Sequence, residues 1–132
     1  MNPSSDILYW HNSEVQCIQP PEQAGGPARL LLSAAALTRD GLAGFLKPLE
    51  LVFHDARLQG PLADCLGSIA QGGLQIGPSS ARELHHIPLP WQAPQPLRLT
   101  QQFRNGSTLL IEAAAAHCDV PPAARFIESY AC

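Results

Sequence analysis

Histidine and cysteine are the residue types in this chain that could bind a metal ion. The chain has five histidines and four cysteines, and the densest group is His117 and Cys118, followed by Cys132. Zinc requires three or four ligands that converge as a tetrahedron, normally including one closely spaced pair. Because adjacent residues of a β-strand point to opposite faces, His117 and Cys118 converge only if their strand ends before them. We therefore predict no metal and no cofactor, with these three residues as the alternative metal ligands.

Nucleophilic catalysis would require a serine or cysteine beside a base. The chain has no G-x-S-x-G segment, but Cys65 would be activated if the fold brought His54 or His117 within hydrogen-bond reach. His54 and Asp55 are adjacent, so their side chains should diverge on a strand. No spacing sets two carboxylates on one helical face. The sequence therefore indicates no catalytic residue, and we expect four reduced thiols.

Charge and hydropathy argue against two classes of partner. The net charge is −3 and the basic residues are scattered singly, which excludes a strongly basic nucleic-acid-binding protein. The longest apolar runs, such as Leu30 to Leu37, are too short to cross a bilayer. The first ten residues lack the basic and apolar regions of a secretory signal. We therefore expect a cytoplasmic protein that binds neither nucleic acid nor membrane.

The low proportion of charged residues leaves neutral surface for contacts. Charged residues make up 14% of the chain, whereas about 25% is typical. A neutral surface suits a protein partner or self-association, and it equally suits a monomer rich in glutamine, serine and proline. Arginine greatly outnumbers lysine, which is a bias typical of high-GC bacterial genomes. At 132 residues the chain is long enough for one domain with its own core.

The clearest prediction of secondary structure is at Asn105-Gly106. Two runs of alternating apolar residues flank this pair, which predicts a β-hairpin. A two-residue loop would place Leu99 opposite Glu112 and send the two apolar rows to opposite faces. A three-residue loop places Leu99 opposite Ile111, with Gly106 as the left-handed residue of a bulge. We predict the three-residue loop because it buries both apolar rows on one face.

Other short apolar runs predict further strands. Residues 49–57 alternate and are rich in strand formers. Residues 29–37 fit either a strand or a helix, and the neighbouring strands favour a strand. The Gly72-Gly73 pair predicts a second hairpin, with Ile69 opposite Ile76.

Proline-rich segments mark the connections and the C-terminal element. Residues 20–27 are predicted to form a flexible loop, and residues 88–96 an extended connector too rich in proline for an inner strand. Prolines are tolerated in the first turn of a helix, and apolar residues with helical spacing follow Pro121-Pro122. A short C-terminal helix is therefore predicted, with an apolar face formed by Ala123, Phe126, Ile127 and Tyr130.

Five residues are candidates for a binding surface. Trp10 and Trp91 adjoin turn or proline segments, where they would either anchor a partner or cover one end of the core. Arg98, Gln102 and Glu112 lie on the polar face of the predicted hairpin. An exposed edge of that hairpin would also accept a strand from a partner or from a second copy.

These patterns predict a mainly β protein with a single domain over residues 1–132. We expect an antiparallel β-sandwich or partly open barrel with a short C-terminal helix. The absence of a catalytic motif favours a non-catalytic binding protein, such as a bacterial accessory, inhibitor or immunity-type protein that acts by protein–protein contact. The alternative is a small-molecule or metal-dependent enzyme that uses histidine and cysteine at the mouth of the sheet structure.

Overall fold

The regular structure of the chain is antiparallel β-sheet. The computed structural model describes residues 6–78 and 82–129 and includes one short 3-10 helix, Leu62–Asp64. No helix within these two ranges is long and apolar enough to span a membrane. The thirteen strands are β1 Asp6–Tyr9, β2 Glu14–Gln19, β3 Ala28–Arg39, β4 Leu42–Lys47, β5 Leu49–His54, β6 Arg57–Gln59, β7 Gly67–Ile76, β8 His86–Leu89, β9 Trp91–Ala93, β10 Leu97–Phe103, β11 Thr108–Ala113, β12 Ala115–Cys118 and β13 Arg125–Glu128.

The strands form one hydrogen-bonded network, which we divide into three sheets. Sheet A has the order β8-β1-β3-β4-β13, sheet B has β9-β12-β5-β3-β2-β7, and sheet C has β7-β10-β11-β6. The long strand β3 belongs to two sheets, because β2 and β5 flank its first half while β1 and β4 flank its second half. The network is not closed into a barrel, and the predicted mainly β class is confirmed.

One hydrophobic core lies on the inner faces of the three sheets. Every second residue of β10 is buried, from Leu97 to Phe103, and the residues between them are exposed. In β3 the buried positions change phase between Leu32 and Ala35, where the pairing with β2 is irregular. Burial on one side gives each sheet an outer face, and these outer faces are where the chain can meet a ligand or partner.

The hairpin predicted around Asn105-Gly106 is confirmed in loop and register. Leu99 pairs with Ile111 in the β10–β11 ladder. The Phe103 N–H donates to the Ser107 carbonyl at 2.9 Å, and the Gly106 N–H donates to the Phe103 carbonyl at 3.0 Å. Gly106 has φ of 92°, the left-handed conformation that this bulged loop needs. One-sided burial therefore outweighs the preference of Asn-Gly for a tighter turn.

The ambiguous segment 29–37 is a strand, as the neighbouring strands suggested. It forms most of β3, and both of its edges are hydrogen-bonded to other strands. This pairing outweighs the helix propensity of alanine and leucine. β3 and β4 are joined by Asp40 and Gly41, whose φ angles of 52° and 85° suit a two-residue hairpin loop.

The second predicted hairpin, at Gly72-Gly73, is wrong. Both glycines lie inside the continuous strand β7, which pairs along its length with β10. A Cβ atom at Gly72 would meet the side chains of Gln101 and Trp10, so this glycine permits close packing and not a turn.

The strand predicted over residues 49–57 is divided between two sheets. β5 ends at His54 in sheet B, and Asp55 follows with a positive φ of 53°. Arg57 then begins β6, which pairs with β11 in sheet C.

The two predicted connectors differ in structure. Residues 88–96 include the end of β8 and all of β9, each hydrogen-bonded on one edge only, to β1 and β12 respectively. Proline is tolerated there because an edge strand leaves one row of N–H groups unpaired. Residues 20–27 contain no strand, and the Gly26 N–H donates to the Gln23 carbonyl at 2.9 Å.

The predicted C-terminal helix is wrong, because residues 125–128 form β13. This strand pairs with β4, whose edge would otherwise be open. The Phe126 ring packs inward against Gly44, and the next residue, Ile127, faces outward. The helical spacing of the apolar residues was therefore coincidental, and Tyr130 lies outside the described residues.

Candidate functional site

The three polar candidates on the hairpin lie together on the outer face of sheet C. Arg98 pairs with Glu112 across the β10–β11 ladder, with 3.6 Å between guanidinium and carboxylate, and both side chains are about half exposed. Gln102 accepts a hydrogen bond from the Gln71 amide on β7. The polar groups of this face are thus largely satisfied by one another.

Two of the clefts that border the polar face of sheet C lie beside Thr100 and Gln102. One has a volume of about 480 Å³ and lies towards β6 and β11, and the other, of about 210 Å³, lies towards Glu83 and His85. Thr100 and Gln102 line both clefts. Their walls offer amides and hydroxyls together with the charged or titratable side chains of Glu83, His85 and Arg98, so this surface suits polar contacts.

Neither tryptophan contributes to an exposed surface. Trp10 is 1% exposed and its indole N–H donates to the Leu84 carbonyl at 3.1 Å. Trp91 is 8% exposed and lies opposite Cys118 in the β9–β12 ladder. Both rings are buried in the core, which agrees with the alternative in which they cover it. Neither ring is exposed enough to anchor a partner.

The predicted hairpin edge is not available for pairing with another chain. β6 pairs with the outer edge of β11, and β7 pairs with the outer edge of β10. A partner strand therefore has no free backbone groups to pair with on this hairpin.

Two of the alternative metal ligands, His117 and Cys118, point to opposite faces of their strand. His117 faces outward in β12, while Cys118 faces the core, where burial raises the pKa of its thiol to about 12. Cys132 lies outside the described residues. No three histidine, cysteine, aspartate or glutamate side chains are grouped around a possible metal position in the described ranges.

The other chemical candidates find different partners from those considered in the sequence. His54 meets His117, with 2.9 Å between Nε2 and Nδ1, and does not form a dyad with Asp55. Cys65 is fully buried, and its Sγ lies 3.6 Å from the Thr108 carbonyl oxygen. Burial is the main cause of a raised pKa of this thiol, and the negative charge of Asp64 raises it further. A buried thiol with a raised pKa is a poor nucleophile.

The outer face of sheet A is a surface that the sequence analysis missed. Tyr9 lies between two imidazoles on this face, with ring centroids 5.5 Å from His86 and 5.8 Å from His11. Phe45 on β4 lies between Ala36 of β3 and Ile127 of β13 in the ladder, and Ile127 is 49% exposed. We call this surface the apolar face.

A cleft of about 270 Å³ lies in the apolar face. Tyr9 and Phe45 line it together with the small residues Ala36 and Ala43. The described residues that line the cleft include no lysine, arginine, aspartate or glutamate. Small residues between two aromatic rings make a depression that fits an apolar side chain of another protein.

Two basic residues lie at one end of the apolar face. Lys47 and Arg125 are opposite each other in the β4–β13 ladder, and both are exposed. Neither forms an ion pair within the described part of the chain. The apolar face therefore ends in uncompensated positive charge.

The comparisons with known proteins supply no relative. No protein family, no curated protein and no solved structure matches the chain. The arguments for function therefore come from the surfaces of the molecule itself.

Alternation in the sequence held part of the signal for the apolar face. In β1 the residues Ile7 and Tyr9 alternate with the buried Leu8, so both faces of this strand are apolar. The sequence does not reveal that β13 lies beside β4, which is what places Ile127 next to Phe45.

Proposed function

We propose that this protein is a non-catalytic binding protein that acts by protein–protein contact through the apolar face of sheet A. The class we propose is a bacterial accessory, inhibitor or immunity-type protein of the cytoplasm. Its partner would present an apolar surface flanked by acidic side chains, which would meet Lys47 and Arg125.

A single observation carries this proposal, namely the composition of the apolar face. Apolar side chains that stay half-buried or exposed on one sheet face lose part of the stabilisation that burial provides, and the largest apolar patch of a soluble protein is often functional. Tyr9, Phe45 and Ile127 provide the aromatic and branched contacts that dominate the binding energy of protein interfaces.

The polar face of sheet C supports contact less well. Its charged pair, Arg98 and Glu112, and its amide pair, Gln71 and Gln102, already satisfy each other. A partner would have to displace these interactions before forming its own, so the net gain in free energy would be small.

The enzyme alternative receives less support from the described residues. The two thiols buried most deeply, Cys65 and Cys118, both have raised pKa values, so they are neutral at physiological pH. The histidines His54 and His117 point outward, with 2.9 Å between Nε2 of the first and Nδ1 of the second. They line none of the clefts described above.

The test is to change one residue on each face and to measure partner binding. Phe45→Lys places a charge in the centre of the apolar face, and Gln102→Lys places the same charge on the polar face. Tagged variants expressed in the natural host should capture the same proteins, except that one partner is lost with Phe45→Lys. With that partner purified, calorimetry should give a dissociation constant at least about tenfold higher for Phe45→Lys than for wild type.

Unchanged circular dichroism and thermal unfolding would show that both variants are folded. If Phe45→Lys retains every partner of the wild type, the proposed face is wrong. If Gln102→Lys loses the partner and Phe45→Lys keeps it, the contact belongs to sheet C.

A further inference from the structure

The outer edge of β13 carries unpaired backbone groups. The Ser129 N–H donates to the Ala43 carbonyl at 2.9 Å, so in this antiparallel ladder residues 125, 127 and 129 direct their backbone groups towards β4. Phe126 and Glu128 therefore direct their N–H and C=O groups away from β4. No other strand in the described ranges pairs with this edge.

Three other edge strands of the network, β6, β8 and β9, are protected against pairing. β6 and β9 have only three residues each, and β8 contains Pro88 and is followed by Pro90. Short strands and proline are the usual means by which natural sheets avoid pairing at their edges. β13 has four residues and no proline, and its outward-facing Ile127 is half exposed.

We infer that β13 pairs antiparallel with β13 of a second copy, with Ile127 opposite Ile127 of that copy. This proposal deepens the proposed function, on which it rests, by naming a second copy as one partner. In this register Phe126 lies opposite Glu128 of the second copy. The outward N–H and C=O groups of both residues then form four hydrogen bonds between the two chains.

The faces of the two copies agree in this register. A twofold axis perpendicular to the sheet preserves which face is outward, and Ile127 lies outward in both chains. Two half-exposed isoleucines thus bury each other at a closely spaced, non-hydrogen-bonded pair. The apolar faces become continuous across the axis, from Tyr9 and Phe45 of one copy to the same residues of the other.

The area of the joined face supports a second copy as the occupant. Five strands about 4.8 Å apart and about four residues long give one apolar face of about 300 Å². A stable protein interface takes about 800 Å² from each partner, so a single face would bind a partner only weakly. Two joined faces give about 600 Å², which is closer to that area, so dimerisation would enlarge the surface available to the proposed protein partner.

The charges around β13 are also compatible with self-pairing. Arg125 would lie opposite the uncharged Ser129 of the second copy. Glu128 of the second copy would lie beside Phe126, and the Arg39 guanidinium lies 5.0 Å from the centre of that ring. That guanidinium already pairs with Asp6 of its own chain and adds little attraction for Glu128, and the register places no like charges directly opposite each other.

The small pairing surface predicts a weak dimer. Four backbone hydrogen bonds and one isoleucine pair correspond to an interface at the low end of the range for protein complexes. We expect a dissociation constant on the order of 100 μM. The dimer should therefore form at high protein concentration and dissociate on dilution.

The test uses sedimentation velocity on the full chain between about 5 and about 500 μM, a range that brackets the expected dissociation constant. Wild type should change from monomer to dimer across this range. Ile127→Lys and Ile127→Glu should each raise the dissociation constant at least about tenfold, because like charges would be directly opposed. An equimolar mixture of the two variants should dimerise again, since the register opposes lysine to glutamate. Leu42→Lys is the matched control, because Leu42 is also in sheet A and is 50% exposed, and it should dimerise like wild type.

A wild-type chain that remains monomeric at the highest concentration would overturn the pairing. So would a dimer that survives both Ile127 variants, or a mixture that is no more dimeric than either variant alone. The proposed function is tested separately. If the protein is monomeric and its partner is lost only with Phe45→Lys, the proposed function stands and the dimer is wrong. If the protein dimerises but binds no partner, the dimer stands and the proposed function is wrong.

Discussion

Sheets A and C use the same inner construction but present opposite outer faces. In both, alternate residues are buried, as in β1 of sheet A and β10 of sheet C. The outer face of sheet C carries an ion pair and paired amides, whereas that of sheet A carries Tyr9, Phe45 and Ile127. Polar side chains that satisfy one another are sufficient for a solvated face. An apolar outer face gains nothing from water, which is why we assign contact with other proteins to sheet A.

The largest expected difference between the two sheets concerns their glycines. A Cβ atom at Gly44 in sheet A would meet the Ile127 carbonyl oxygen and the Phe126 ring. Backbone and a packed ring yield poorly, so Gly44→Ala should lower the free energy of unfolding by about 3 kcal/mol. Urea denaturation monitored by tryptophan fluorescence would measure this change.

The matched variant in sheet C is Gly73→Ala. The atoms nearest to its new Cβ atom would belong to the exposed side chain of Glu83, which can move into solvent. We expect a change below about 0.5 kcal/mol. Equal losses of stability in the two variants would contradict the close packing of β13 on β4.

The ion pairs of the two sheets should differ next. In sheet A, Asp6 is 6% exposed and accepts two hydrogen bonds of 2.9 Å from Arg39, which raise the pKa of that guanidinium. Asp6→Ala would leave Arg39 without its partner, and because the arginine is partly exposed the cost should be about 2 kcal/mol.

Glu112→Ala removes the exposed pair of sheet C and should cost less than about 0.5 kcal/mol. Thermal unfolding of both variants at low and high salt measures the difference, and only the Glu112 pair should be screened by salt. A salt-sensitive Asp6 pair would mean that Asp6 is solvated and not buried.

In sheet B, which shares strands with sheets A and C, the buried Cys118 thiol should make the protein less stable at alkaline pH. Burial is the main cause that raises the pKa of the Cys118 thiol from 9.0 to about 12, and the negative charges of Asp119 and Glu50 also raise it. Below pH 9 the thiol is neutral in both the folded and the unfolded chain. Between pH 9 and 12 only the unfolded chain loses this proton, so the free energy of unfolding falls as the pH rises, by about 1.4 kcal/mol per pH unit.

Urea denaturation at several pH values compares wild type with Cys118→Ala. The substitution should remove this component of the slope, whereas Cys17→Ala, at a partly exposed thiol, should not. Identical slopes in wild type and Cys118→Ala would show that the Cys118 thiol is not held neutral by burial.

A gain in stability is expected from one buried residue under sheet C. Gln101 is 1% exposed, and neither its amide nitrogen nor its amide oxygen has a hydrogen-bond partner. Gln101→Met keeps a similar shape without the unpaired polar atoms, so the free energy of unfolding should rise by about 1 kcal/mol. Chemical denaturation measures this gain, and a loss of stability would indicate that the amide is hydrogen-bonded in solution.

The sequence predicted elements whose pairing is local and failed where the pairing partner is distant. The register of Leu99 with Ile111 follows from alternation within one hairpin. The Gly72-Gly73 pair predicts a turn when only neighbouring residues are considered. That prediction fails because Gly72 packs against Gln101 and Trp10, which are distant in the chain. For the candidate site, the grouping of Arg98 with Glu112 was predictable from the same hairpin, whereas the apolar face assembles from strands far apart in sequence.

Local sequence is enough to predict the β class, the inner face of each hairpin strand and the bulged loop at Gly106, since alternation and glycine conformation act over a few residues. That residues 125–128 form a strand depends on contacts between distant parts of the chain, because the edge of β4 provides backbone partners that outweigh a helical pattern. The same pairing decided that Ile127 lies beside Phe45 on an outer face. The surface proposed to carry function therefore exists only in the folded chain.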